Sequence, residues 1–132
     1  MRKRSRKRIA RKDPWEKKAS RIASEFMRRY ERETGTALDF SIDRVRDLDR
    51  YLEAHADLSK EEIRRVGYYF AEIWRHSFGG SYVWDKEREA LAIRQGGISV
   101  YPIEKVSRVA VQKSPGALEA FAFIYAKKRT RP

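Results

Sequence analysis

The charge of this chain of 132 residues is so unevenly distributed that a nearly neutral middle part is flanked by two basic extensions. Residues 1–34 carry 14 Lys and Arg against 5 Asp and Glu, and residues 127–132 add four basic residues and no acid. Residues 35–126 hold 13 basic and 14 acidic residues and are nearly neutral. Because like charges repel and oppose compaction, we expect one compact domain over residues 35–126 with basic extensions at both ends.

The size and composition of the chain also indicate a single folded domain. A chain of this length buries roughly two thirds of its unfolded surface, and its 41% hydrophobic and 12% aromatic content is too high for general disorder. The absence of cysteine excludes disulfides, thiolate metal sites and thiol nucleophiles. No segment approaches the roughly 18 apolar residues of a membrane span, and no secretory signal is visible. We therefore expect a cytoplasmic protein, associated with a nucleoid or ribonucleoprotein, or a nuclear one in a eukaryote.

The basic N-terminal region divides into two parts. Residues 1–12 contain eight basic residues and no acid, which predicts a disordered basic arm. Asp13, Pro14 and Glu16 then match the N-cap, N1 and N3 positions of a helix start. We predict a basic amphipathic helix over residues 13–34.

Helical periodicity separates the apolar and basic residues of this predicted helix onto opposite faces. The apolar stripe consists of Trp15, Ala19, Ile22, Ala23, Phe26 and Tyr30. The basic face consists of Lys17, Lys18, Arg21, Arg28, Arg29 and Arg32. Together with the arm, this face predicts one continuous positive surface.

The nearly neutral domain begins with two further predicted helices. One runs from about Ser41 to His55, and the next opens with a capping box formed by Ser59 and Glu62. Residues of the second helix repeat at helical spacing, which predicts that it is central to the core. Its apolar members are Ile63, Val66, Gly67, Phe70, Ile73, Trp74 and Phe78.

After a Gly-Gly stop at residues 79–80, the pattern changes to the two-residue alternation of strands. Three such segments predict an antiparallel meander, followed by a helix that starts at Pro102. Residues 117–126 fit either a helix or a strand, and we favour a helix. The predicted fold class is α+β: N-terminal helices, a three-stranded antiparallel meander, then C-terminal helices, with a basic tail over residues 127–132.

The sequence GYYFAEIWRHSFGGSYVW, from Gly67 to Trp84, is followed by a Gly-Gly turn and a strand that ends at Pro102. Over residues 38–125 these features resemble a loosely defined bacterial family of small α+β domains without a settled function. The resemblance implies the order helix, helix, three strands, helices, and it implies no catalytic residues.

The basic segments predict binding to nucleic-acid backbone, since Lys and Arg displace the counterions that surround phosphates and Arg can grip a phosphate with two parallel hydrogen bonds. If about six of these residues engage duplex DNA, the logarithm of the affinity should fall with the logarithm of salt concentration at a slope near −5. No base-reading motif is visible, so we expect binding to DNA or RNA largely independent of sequence. The predicted contact residues are Arg2, Lys3, Arg4, Arg6, Lys7, Arg8, Arg11, Lys12, Lys17, Lys18, Arg21, Arg28, Arg29, Arg32, Lys127, Lys128, Arg129 and Arg131.

The alternative is a protein-interaction module, of a regulatory or immunity-like kind, in which the basic ends serve only for solubility. The predicted N-terminal helix or Phe123 would then cover a protein partner. A membrane is an unlikely partner, because the apolar stripe of that helix is modest and is expected to dock on the domain.

Three further residue groups are candidate sites. Glu72 and His76 are i, i+4 neighbours that could perform acid–base chemistry, but the pair also describes an ordinary helix surface on the polar side of its helix. Tyr82 and Trp84 could stack bases, but the strand pattern predicts that they belong to the core and that Tyr101 is the more exposed aromatic residue. Aspartates 39, 43 and 47 fit a solvated helix surface better than a metal site. We predict no catalytic residue, metal or cofactor.

Overall fold

The computed structural model describes residues 13–130, and for residues 129 and 130 it describes the backbone alone. Within this range the chain forms five helices and a three-stranded sheet, which confirms the predicted α+β class and the order of its elements. The elements are α1 Pro14–Thr34, α2 Arg44–Ala54, α3 Lys60–Phe78, β1 Ser81–Asp85, β2 Ala90–Gln95, β3 Ile98–Val100, α4 Pro102–Gln112 and α5 Ala117–Thr130.

Helix α1 begins and ends where its sequence predicts. The carboxylate of Asp13 accepts a hydrogen bond from the backbone N–H of Trp15 at 2.8 Å, and Pro14 occupies the first helical position. At the other end, Gly35 adopts the left-handed conformation with φ of 78° and donates its N–H to the carbonyl of Glu31. Both ends of the helix are therefore fixed by residues next to it in the sequence.

Helix α3 is the centre of the molecule, with α1 and α4 on opposite sides of it. The Ser59 and Glu62 capping box is present, with both reciprocal hydrogen bonds formed at 3.1 and 2.8 Å. Tyr69 contacts Phe26 of α1 at 5.4 Å between ring centroids, whereas Gly67 faces Ile103 of α4. Residues two positions apart in a helix, such as 67 and 69, point in directions that differ by about 200°. Helices α1 and α4 therefore contact opposite sides of α3.

The glycine at position 67 is required by this close approach. A Cβ atom there would lie 3.0 Å from Cγ2 of Ile103 and 3.1 Å from its Cα. Real Cβ atoms rarely come this close to backbone atoms, so any larger residue would separate the two helices.

The strands form an antiparallel meander in the order β1-β2-β3. Tyr82 pairs with Ile93, which pairs with Val100, and Trp84 pairs with Leu91, so these five side chains share one face of the sheet. Four of them are buried, but Trp84 is 45% exposed. The prediction that Trp84 belongs to the core is therefore wrong, because at this end of β1 its ring stacks on Trp15 without being enclosed.

The last element is a helix, as predicted. Phe121 and Tyr125 pack on Trp74 with ring centroids 5.2 and 4.7 Å apart, and both contacts lie on one helical face. Asp49 of α2, which is 4% exposed, caps this helix by accepting the backbone N–H groups of Leu118 and Glu119 at 3.0 and 2.9 Å.

Two helix boundaries differ from those predicted. Helix α2 begins at Arg44 rather than near Ser41, since residues 41–43 form a turn whose carbonyls accept the N–H groups of Arg44 and Val45. Helix α5 continues to Thr130, so Lys127 and Lys128 lie on it rather than on a separate tail.

Candidate nucleic-acid interface

The predicted contact residues fall partly inside and partly outside the described residues. Lys17, Lys18, Arg21, Arg28, Arg29 and Arg32 lie on α1, and Lys127 and Lys128 lie on α5. For Arg129 only the backbone is described. The others lie outside the described residues: Arg2, Lys3, Arg4, Arg6, Lys7, Arg8, Arg11, Lys12 and Arg131.

A basic stripe runs along the solvent side of α1. It consists of Lys17, Arg21, Arg28 and Arg32, all exposed, at helical positions i, i+4, i+11 and i+15. This spacing keeps them on one face, and 15 residues at about 1.5 Å each give the basic stripe a length of about 22 Å. The opposite face of α1 buries Ala19, Ile22, Ala23 and Phe26 against the core, so the basic stripe is held on a fixed support.

Ion pairs divide the basic residues of α1 into two groups. Arg29 contacts the carboxylates of Glu33 at 3.2 Å and Glu62 at 3.3 Å, and these contacts raise its pKa. Arg21 contacts Glu25 at 3.4 Å. In contrast, the remaining members of the basic stripe make no ion pair with any residue from 13 to 128: these are Lys17, Arg28 and Arg32. These three are the residues of α1 best placed to meet an external anion.

Arg29 differs from the basic stripe in its surroundings. Its helical direction lies at the edge of the basic face, next to Ile22, so its guanidinium reaches the carboxylate of Glu62 on α3 although its side chain is 42% exposed. Glu25 similarly bridges Arg21 and Arg65 of α3, the latter at 3.6 Å. Residues 13–34 contain six basic and five acidic residues, so nearly all the excess charge of the N-terminal region belongs to residues 1–12.

The sheet side of the molecule carries a second basic group that sequence reasoning missed. Arg88, Lys105 and Arg108 line a concavity of about 240 Å³ beside Tyr101. The guanidinium of Arg88 lies 3.9 Å from the ring centroid of Tyr101, and Glu104 pairs with both arginines. The i, i+3 spacing of Lys105 and Arg108 could have indicated from the sequence that they share a face of α4. Only the fold brings Arg88 close to them. Because Glu104 neutralises part of this charge, the group attracts an anion less strongly than the basic stripe does.

The three aromatic residues considered as a base-stacking surface have different environments. Tyr82 is buried, and its hydroxyl donates to Glu72 at 2.8 Å. Tyr101 is half-buried rather than exposed, because Arg88 covers its ring and its hydroxyl donates to Asp85 at 2.7 Å. Trp84 is the exposed member of the set.

Glu72 is a buried structural carboxylate. It is 4% exposed and accepts hydrogen bonds from Tyr82 and from the guanidinium of Arg75 at 3.1 Å, which also reaches Glu16 of α1 at 3.1 Å. Burial and the neighbouring Glu72 strongly raise the pKa of the Tyr82 hydroxyl. Glu72 is thus covered by α1 and β1 and does not lie on the solvent surface, whereas Glu61 and His76 on the same side of α3 are exposed.

Three of the remaining polar residues considered as site candidates, His76, Asp39 and Asp47, have local partners. His76 stacks on Phe40 with centroids 4.5 Å apart and lies 3.9 Å from Glu72. Asp39 and Asp47 both contact Arg44, at 3.8 and 2.7 Å. Within residues 13–130, no three His or acidic side chains converge on a point where a metal ion could sit.

The apolar stripe of α1 faces the core rather than a bilayer, since Phe26 packs on Tyr69 and Tyr51 with centroids 5.4 and 5.2 Å apart. None of the helices that the structure describes combines the length and the apolar character that crossing a bilayer requires.

Comparisons of the chain with protein families, with curated proteins and with solved structures found no match. The resemblance noted over residues 38–125 stays a prediction.

Proposed function

We propose that this protein binds the phosphate backbone of nucleic acid as an accessory or structural component. The proposed binding surface combines residues 1–12, the basic stripe of α1 and the basic residues among positions 127–132 of the chain. The observation that supports this most directly is the geometry of α1. Its basic stripe lies on the solvent side of a helix whose other face is fixed in the core. Asp13, the N-cap of this helix, directly follows the segment 1–12 with its eight cations in the sequence.

The physical basis of binding is the release of counterions. Each Lys or Arg that neutralises a phosphate frees a condensed cation, so the affinity falls steeply as salt concentration rises. A stripe about 22 Å long would follow several successive phosphates, which rise by about 3.4 Å each along one strand of a duplex. Contacts of this kind position a protein on nucleic acid without reading its bases, so the proposal covers DNA and RNA alike and places the protein with nucleic acid inside the cell.

The basic stripe can be tested with two variants of equal net charge. In the first, Lys17, Arg21, Arg28 and Arg32 are replaced by Gln. In the matched control, the same number of exposed cations elsewhere are replaced by Gln: Arg50, Lys60, Lys86 and Lys113. Affinity for duplex DNA and duplex RNA is measured by fluorescence anisotropy across a range of salt concentrations.

We expect the basic-stripe variant to bind more weakly and to flatten the salt slope by about 0.9 for each phosphate that it no longer neutralises. The control should change both quantities much less. Equal effects in the two variants would show that only net charge matters and would remove α1 from the interface. Failure of the parent protein to bind at low salt would overturn the proposal as a whole.

The second candidate function is a protein-interaction module, and one observation favours it. Phe123 and Ile124 of α5 are 62% and 54% exposed. Phe123 lies on the face opposite the residues that pack on Trp74, and Ile124 lies at the edge of the packed face. Neighbouring large apolar side chains in solvent are typical of a surface that meets a protein partner. Such a complex would survive salt concentrations that release a phosphate binder, and Phe123→Ser would weaken it, whereas Val111→Ser, at another exposed site, would not.

A further inference from the structure

Two tryptophans from distant parts of the chain meet at the end of β1. The rings of Trp15 and Trp84 are nearly parallel, with an interplanar angle of 8° and centroids 5.9 Å apart. Trp84 is nevertheless 45% exposed, whereas Trp74, the third tryptophan of the chain, is 1% exposed. The docking of α1 against the sheet thus uses one side of the Trp84 ring and leaves much of the ring open to solvent.

A shallow, mostly apolar concavity lies beside the open part of Trp84. Its volume is about 290 Å³, and its walls include Tyr68, Leu91 and Ile103. Its charged rim consists of Arg64, whose guanidinium lies 5.2 Å from the ring centroid of Tyr68, and of Glu89 and Glu104. Glu104 is paired with Arg88 and Arg108. A flat, apolar group with a polar edge, such as a nucleobase, suits these walls because it can stack on the ring while its edge meets the charged rim.

The charges near the tryptophan pair identify which kind of molecule would bring such a group. Trp15 is two residues from Asp13, where the sequence of eight cations joins the fold. The ammonium of Lys18 lies 5.2 Å from the ring centroid of Trp15. A base that stacked on Trp84 would therefore carry its phosphates toward the cationic end of α1.

We propose that Trp84, supported from behind by Trp15, is a stacking platform for an unpaired base, and that the preferred ligand of this protein is single-stranded rather than duplex nucleic acid. This inference rests on the proposed function and specifies its substrate class. Bases inside a duplex are stacked on one another and cannot reach the ring, whereas those of a single strand can. Stacking on an aromatic side chain does not depend on base identity, so the platform adds affinity without sequence preference.

The test uses the full-length protein, oligothymidylate and oligouridylate, and a DNA duplex of the same length. In the parent protein, single strands should quench the fluorescence of exposed Trp84, while the emission of buried Trp74 remains. Trp84→Ala should lower single-strand affinity by about 5- to 150-fold, which corresponds to the loss of one base stack. Duplex affinity and the salt slope should stay unchanged, since no charge is removed.

Two further variants keep the result interpretable. Val111→Ala removes an exposed apolar side chain from α4 and should leave single-strand affinity unchanged. Trp84→Phe keeps a smaller ring on the sheet and should retain part of the affinity. The thermal midpoints of both Trp84 variants show whether a loss of affinity comes from unfolding. Undiminished single-strand binding by Trp84→Ala, or a parent protein without preference for single strands, would overturn the platform while leaving backbone binding intact. A parent protein that binds neither form would instead overturn the proposed function.

Discussion

At the scale of single residues, the buried charges serve the fold. Glu72 accepts hydrogen bonds from the hydroxyl of Tyr82 on β1 and from the guanidinium of Arg75 on its own helix. The same guanidinium also donates to Glu16 of α1. Removing water from a carboxylate is costly unless hydrogen bonds compensate for it. The network therefore ties three elements together at the point where α1 meets the sheet.

Tyr82→Phe should destabilise the protein by about 2 kcal/mol, because the carboxylate of Glu72 stays buried with one donor fewer. Tyr101→Phe is the matched control, since its hydroxyl makes a hydrogen bond of similar length to Asp85 in a more open setting. Urea unfolding measures both variants. Equal losses of stability in the two would show that burial of Glu72 does not set the energy of this hydrogen bond.

The capping carboxylate of Glu62 predicts a dependence of stability on pH. The hydrogen bond that Glu62 accepts from the N–H of Ser59 is the main cause that holds its pKa below the ordinary value of 4.5. The charge of Arg29 lowers the pKa further. A carboxyl with a lowered pKa stabilises the folded state above its ordinary pKa, and this contribution is lost as pH falls through the folded pKa.

Glu62→Gln keeps a side-chain acceptor for Ser59 but removes the charge. The variant should be less stable than the parent near neutral pH, and the two should converge as pH falls below 4.5. Chemical unfolding at a series of pH values measures the difference. A difference that stays constant across this range would contradict the electrostatic explanation.

At the scale of whole elements, helix starts and periodicity were predictable because their signals are local. Asp13 and Ser59 form their caps with residues two or three positions away. The environments of Trp84 and Glu72 were not predictable in the same way. Strand alternation gives the side of the sheet on which Trp84 lies but not where the covering helix ends. Glu72 is buried only once α1 and β1 pack against α3.

The packing of α3 on α4 depends on the absence of a side chain at position 67. Gly67→Ala should destabilise the protein by about 1–2 kcal/mol, because the strain of an added methyl against Ile103 exceeds the helix propensity that alanine gains. Gly97→Ala is the control, since a Cβ there meets no atom within 4 Å, and it should be nearly neutral. Stabilisation by Gly67→Ala in thermal unfolding would show that the helices can separate freely.

At the scale of the whole molecule, most of the net charge lies outside the part of the chain that forms the core. The buried hydrophobic residues extend from Ala19 to Ala122. Of the net charge of +12, residues 1–12 supply eight units. Binding strength and folding stability should therefore respond to different mutations.

Deletion of residues 2–12 tests this separation directly. Helix α1 carries its own cap at Asp13, so the thermal midpoint should change little, while affinity for nucleic acid at low salt should fall sharply. The salt slope should flatten by about 0.9 for each phosphate that the deleted residues would have neutralised. A chain of full length with all eight basic residues of this segment replaced by Gln separates the effect of charge from that of length, and it should behave like the deletion. An unchanged, salt-dependent affinity in both variants would place the binding surface on the folded body, where the basic stripe of α1 is the first region to examine.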